Sequence, residues 1–406
     1  MDVTKIVARQ YTEWAYPKPI DDMVAAINGG ARESDTPSLI MPLLWPERRS
    51  IEGLKILIAG CGTNQGAYYA LMMPQAEVTG IDLSLTSLNH EQYLVKKHDI
   101  KNLILHHMSL LDVEKLNESF DFVVCCGVLH HLADPDAGLR ALRDVLMPDG
   151  IMSVMVYGRY LRQGIYMLQE AFRLLSLGQN KEDVELVKST LKYLPEIHCA
   201  NPYIKAATDI KYDSGIVDTF LHPQDRAYSV GEVLEFARNN SLEFWGWVEP
   251  SMYSEKEAFP AHHPLRNKIA KLHEEERWKI VELLTQRFGF HHFLLCHPSR
   301  RAKRIDFSQS DWEYFIPVQR PGLRIAEKGD VSVNRLVELK RGRGTFRLGK
   351  RGAALIEHVN GKCSILEIMD LAREKMPELT HDGTRAFFAL MHEWGHLMYW
   401  REREKV

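Results

Sequence analysis

A glycine turn and one carboxylate carry the clearest chemical signal in this 406-residue chain. The apolar run Lys55-Ile56-Leu57-Ile58-Ala59 stops at Gly60-Cys61-Gly62-Thr63-Asn64-Gln65-Gly66, the pattern of a buried strand entering a tight turn. Such a turn brings backbone N–H groups and a helix N-terminus to the carboxyl edge of a sheet, where a cofactor can approach closely. Asp82 lies twenty residues after Gly62, at the end of a second strand pattern that starts at Glu77. A carboxylate there can accept both hydroxyls of an adenosine ribose, and this geometry serves nicotinamide and methionine cofactors equally. The turn by itself leaves the two open.

Positioning these residues requires a sheet. Leu103 to His107, Phe120 to Cys126 and Ile151 to Tyr157 read as strands three to five, with helical patterns between them, notably Ala137 to Leu146. Ser84 can cap the helix after strand two. Strands alternating with helices across short loops predict parallel βαβ units. Leu161 to Leu194 reads as helical, Val230 to Asn239 as a further helix, and Leu265 to about Arg287 as a charged helix. Leu242 to Val248 and Phe290 to Cys296 are two late strands that could complete the sheet. The basic cluster Arg300, Arg301, Lys303 and Arg304 reads as a linker, with a boundary near 305. The expected architecture is α/β: an N-terminal helical arm (1–50), a Rossmann-like, mostly parallel seven-stranded sheet (51–300) with a helical insertion at about 158–240, and a small α+β C-terminal domain (306–406).

Ile56 to Gly66 resembles the first motif of class I S-adenosylmethionine-dependent methyltransferases, although Asn64 stands where a third glycine is usual and Gly66 comes late. A stronger resemblance runs from Phe120 to Leu132, similar to that family's fourth strand, and on to Leu146-Met147-Pro148-Asp149-Gly150, similar to the turn before its fifth. The resemblance implies S-adenosylmethionine as cofactor. It sets Gly60 and Gly62, with Cys61 between them, against the methionine moiety, Asp82 on the ribose, Leu83 at the adenine edge, Ser109 and Leu110 at the adenine-contacting turn, and Cys126 and Gly127 beneath the sulfonium. Methyl transfer is an in-line displacement in which the protein supplies alignment and a suitable acceptor protonation state. His130, His131 and Tyr157 are then candidate bases or orienters, the two histidines reading equally as a structural turn pair. Tyr11 to Met23 resembles an aromatic-proline segment that folds over the cofactor in some bacterial methyltransferases, and a plain packed arm is the other reading. Val217 to Pro223 resembles a block of the same group, in which Asp218 or His222 would reach the acceptor. A nicotinamide-dependent oxidoreductase and a catalytically silent binding module on the same fold are the rival readings.

Composition limits the partners. A formal net charge of -3 gives no global field for nucleic acid or an anionic membrane, and no apolar run approaches membrane-spanning length. Six cysteines without a CxxC pair suit a reducing cytoplasm. His392-Glu393-Trp394-Gly395-His396 satisfies HExxH, but Gly395 reads as a helix stop and no metal is expected. The pairs His106-His107, His262-His263 and His291-His292 read as structural. Gly344 to Ile365 resembles winged-helix domains related to PqqD, which bind precursor peptides in several peptide-modifying pathways. Beside it lie Arg335, Lys340, Arg341, Arg343, Arg347, Lys350 and Arg351, a solvated face or a site for an acidic partner. The resemblance leaves the acceptor as either a peptide or a small molecule.

Overall fold

The computed structural model describes residues 3–260, 262–328, 336–341 and 344–401. It divides into two compact units, each discontinuous in sequence. The first takes the chain up to Glu33, then Ile51–Val248 and Glu274–Arg300; the second takes Ser34–Ser50, Glu249–His273 and the chain from Arg301 onward. The expected arm of 1–50 is therefore shared between units, and a cut near 305 divides the second one. The reason is packing: the helix Pro37–Leu44 buries Ile40, Met41 and Leu44 against residues of the C-terminal segment, and the Arg401 N–H donates to the Pro46 carbonyl at 2.9 Å. The expected charged helix of 265–287 is broken for the same reason. It is two helices, Pro264–Ile269 and Glu274–Thr285, with the unit boundary between them.

The first unit is built on a sheet of β1 (Lys55–Ala59), β2 (Glu77–Asp82), β3 (Leu103–His107), β4 (Phe120–Cys126), β5 (Leu146–Gly158), β6 (Ala227–Tyr228), β7 (Glu243–Trp247) and β8 (Phe290–Cys296). The order is β3-β2-β1-β4-β5-β8-β7, with β6 alongside the end of β5. β1 to β5 run parallel and β8 is antiparallel to both its neighbours. The seven expected strands are all present. The eighth, β6, is two residues long and was invisible as a pattern. Ile56 to Ala59 and Phe122 to Cys125 have no exposed surface, as strands covered on both faces must. β5 starts at Leu146, earlier than the apolar run suggests, because its register on β4 shifts between Phe120 and Phe122 and absorbs Pro148-Asp149-Gly150. The expected helix of 161–194 is two, Gln163–Leu174 and Lys181–Lys192, separated near Ser176, which sits at φ +56.

In the second unit, β9 (Ile316–Gln319) pairs antiparallel with β13 (Leu397–Trp400), and β10 (Arg324–Lys328), β11 (Leu336–Arg341) and β12 (Gly344–Leu348) form an antiparallel ribbon. Three helices, Lys350–Ile356, Ile365–Lys375 and His381–Glu393, bury Leu355, Ile368, Phe388 and Met391 with Trp312 and Tyr399. The HExxH string spans a helix end: the helix stops at Glu393 and Gly395 turns left-handed at φ +61, so His396 does not share a helical face with His392. Burial pushes His392 down to about 4. Of the basic stretch, Arg335 and Arg343 lie outside the described residues; Arg347, Lys350 and Arg351 are exposed. No helix among the described residues is long and apolar enough to cross a membrane.

Candidate functional site

At the carboxyl edge of β1, the Gly60 and Cys61 N–H groups both donate to the Ile81 carbonyl at the end of β2, at 2.8 and 3.0 Å, which folds the turn back onto the sheet. Gly60 and Gly62 sit at φ +81 and +57, where side chains are strained. A Cβ on Gly60 would also come within 2.4 Å of the Val128 side chain. Asp82 is fixed by this turn and by the next helix: Oδ2 accepts from Gly62 N at 2.8 Å and Oδ1 from Ser84 N at 2.7 Å. Each oxygen keeps a further lone pair for a hydroxyl. Burial raises the Asp82 carboxyl above its usual range, against the lowering by these N–H groups.

The two departures from the expected glycine pattern have structural jobs. Asn64 donates to the Lys18 carbonyl at 3.2 Å and accepts from the Ile20 N–H at 2.9 Å, while the Thr63 hydroxyl donates to the Pro17 carbonyl at 2.8 Å. The turn thus clasps the N-terminal aromatic-proline segment, and Tyr16, Pro17 and Ile20 line the cleft beside it. Gly66 is required by Glu91, which reaches from the helix Leu85–Lys97 to accept from Gly66 N and Ala67 N at 2.7 and 2.8 Å. A Cβ there would lie 3.0 Å from its Oε1. Glu91 is fully buried, and desolvation pushes its carboxyl up to about 8. An acid whose pKa rises on folding takes up a proton, so the stability it contributes is present at low pH and is lost as pH climbs from about 4.5 through 8. Melting temperatures measured across that range should fall more steeply for the wild type than for Glu91→Gln; equal slopes would remove Glu91 as the cause.

A cleft of about 640 Å³ runs from this turn across the ends of β2, β4 and β5. Leu83, Ser109 and Leu110 line one end, Cys126 and Gly127 the middle, and His131 and Tyr157 the other end with Tyr11 and Asp209. Ser109 is also a cap, its hydroxyl accepting from Leu111 N at 3.2 Å. Glycines that admit a close approach, a ribose-type carboxylate and a cavity continuous from one to the other fit a nucleoside cofactor with a methionine tail.

His130 does not line the cleft. It is fully buried, tilted against the Tyr157 ring at 3.9 Å between centroids, with neither ring nitrogen hydrogen-bonded. Burial pushes its pKa well down, helped by His131 and Arg162. The Arg162 guanidinium covers the Tyr157 ring at 3.6 Å and pairs with Asp225 at 3.1 Å, both side chains almost without exposed surface. Asp218, also buried, accepts from two phenols, Tyr11 at 2.8 Å and Tyr157 at 2.9 Å. Tyr16 donates to Asp209 at 3.0 Å. Asp209, Arg162, Asp225 and Glu91 had no motif to announce them, whereas Tyr11 opens the expected aromatic-proline segment; each joins segments far apart in sequence. In the remaining histidine pairs, His107 contacts the Leu83 carbonyl at 3.0 Å, His291 contacts the Tyr228 carbonyl at 3.1 Å and His263 accepts from Leu265 N at 3.2 Å.

Residues 57–152 match the model of a methyltransferase domain. The chain is 30% identical over 269 residues to an uncharacterized protein of Synechococcus, covering 64% of this chain and 62% of that one. It is 33% identical over 190 residues to an uncharacterized protein of Rickettsia prowazekii, covering 45% of this chain and 75% of that one. The chain thus spans less than two thirds of the Synechococcus relative. Among solved structures it is similar to PKMT2 from Rickettsia typhi, with a TM-score of 0.64 and 19% identity over 91% of this chain and 76% of that one; a second structure of that protein is a complex with AdoHcy.

Proposed function

We propose that this S-adenosylmethionine-dependent methyltransferase, whose residues 57–152 match a methyltransferase domain, transfers the methyl group to a primary amine carried by a peptide. When bound, the cofactor supplies a methyl carbon already activated by sulfonium. The observation that carries the acceptor reading is the direction of three hydroxyls. Tyr11 and Tyr157 donate their hydrogens to Asp218 and Tyr16 donates its hydrogen to Asp209. Each phenol therefore has only oxygen lone pairs left to offer. A carboxylate or carbonyl acceptor would meet those lone pairs unpaired. An ammonium group brings three donors, which those oxygens can accept. The peptide part of the reading rests on the C-terminal stretch Gly344 to Ile365, which resembles peptide-binding winged-helix domains.

The test is a set of capped five-residue peptides differing only at the central position, which is lysine, serine, cysteine or glutamate, incubated with the enzyme and labelled S-adenosylmethionine. Label should enter the lysine peptide and resist mild base. Label in the glutamate peptide, released by base as an ester is, would refute the amine reading.

A further inference from the structure

Two imidazoles stand against the main chain of one residue, Gln224, and the first of them lines the cleft. His131 Nδ1 contacts the Gln224 carbonyl at 3.1 Å. A carbonyl only accepts, so Nδ1 carries the hydrogen and Nε2 of this cleft-lining ring keeps its lone pair. His222 Nδ1 accepts the Gln224 N–H at 3.1 Å, so here the hydrogen sits on Nε2, buried and without a partner. The two rings lie against each other at 3.9 Å between centroids, tilted by 30°.

We propose that His131 Nε2 is the base that receives the acceptor's proton, and that the main chain of Gln224 makes it so by holding His131 and His222 in opposite tautomers. The inference rests on the amine reading only for the identity of the proton's source. In the step, one ammonium N–H proton moves to His131 Nε2. The freed nitrogen lone pair then forms the new N–C bond to the methyl carbon, the C–S pair stays on sulfur, and the positive charge passes from sulfur to the methylated nitrogen. His131 afterwards returns its proton to water.

The groups facing His131 suit this role. His130, Tyr157 and Tyr11 meet its ring at 4.2, 5.6 and 6.2 Å, all near edge-on. Burial lowers its pKa, with Arg162 acting in the same direction, while Asp218, the Gln224 carbonyl and Asp225 pull it back up. The His222 Nδ1 lone pair is already taken by the Gln224 N–H and burial holds this ring down to about 2, so of the two rings His131 is the one with a lone pair to receive the proton. The same atoms argue against a cation. Ligand-type atoms of His131, Asp218 and His222 lie within 4.8 Å of one another, but a neutral histidine that binds metal through Nε2 must carry its hydrogen on Nδ1. At His222 that position is filled by the Gln224 N–H.

Long-range ¹⁵N–¹H spectra of the full chain labelled at histidine ring nitrogens, assigned with His131→Gln and His222→Gln, should show Nδ1–H for His131 and Nε2–H for His222. An Nε2–H tautomer at His131 would overturn the proposal, as would a full equivalent of zinc that binds the wild type and not His222→Gln. With the lysine peptide, the wild-type rate should carry an acid limb with its midpoint below the ordinary histidine value of 6.5. His131→Gln should lower the rate constant by about 100-fold and abolish that limb while leaving S-adenosylhomocysteine affinity unchanged; a retained limb and rate would exclude His131 as the base. The spectra need no acceptor. An inert lysine peptide therefore sinks the amine reading alone, and a wrong tautomer sinks this inference alone.

Discussion

Asp82→Asn binds S-adenosylhomocysteine about 100-fold more weakly than the wild type, the expected result if both ribose hydroxyls donate to this carboxylate. A hydrogen bond to a charged group contributes about 1.5–3 kcal/mol. The substitution removes the charge from two such bonds and puts an NH₂ donor in place of one acceptor. It also turns that NH₂ group towards either the Gly62 or the Ser84 N–H, both of which now donate to Asp82. A loss near 3 kcal/mol is a conservative sum, and at about 1.4 kcal/mol per factor of ten it gives the stated ratio. The pH dependence has a definite sign. Burial raises the Asp82 carboxyl, so the ionised acceptor is lost as pH falls, and affinity should weaken at a pH above the ordinary carboxylate value. Calorimetry of both proteins settles it: an unchanged affinity in a folded variant would place the ribose elsewhere.

Arg162→Met is expected to cost about 3–5 kcal/mol of stability, the loss typical of breaking a buried ion pair from one side. Arg162 and Asp225 expose 0% and 2% of their side chains, so the remaining carboxylate would keep a charge out of water with only the Gln169 amide, at 3.2 Å, still donating to it. The Tyr203 hydroxyl would lose its 2.8 Å donor, and the Tyr157 ring the cation over its face. Replacing both partners removes the stranded charge, so Arg162→Met combined with Asp225→Leu should recover part of the loss. Chemical denaturation followed by circular dichroism measures all three proteins. A single variant within about 1 kcal/mol of wild type would show that water or neighbouring dipoles already satisfy Asp225.

The cofactor half of the cleft was legible because its residues are close in sequence. A βα unit places Gly60, Gly62 and Asp82 at one sheet edge by local rules alone, and Cys126-Gly127 follow at the end of the neighbouring strand. The acceptor half was legible only as fragments. Tyr11, Tyr157 and Asp218 come from the N-terminal segment, β5 and the insertion, and no short-range pattern links them. His130 and His131 are adjacent in sequence and were indistinguishable there; the path of the chain after β4 buries the first ring and turns the second to the cleft.

The sequence by itself determined the alternation of strands and helices, the glycine turn and its distant acid, because hydrophobic period and backbone constraint act over a few residues. It could not show that Ser34–Ser50 and Glu249–His273 join the C-terminal segment, that Glu91 fills the start of the helix after the turn, or that the main chain of one residue orients two imidazoles. Those arrangements depend on which buried polar groups find partners, and a polar residue's type does not reveal its partner until distant segments pack together.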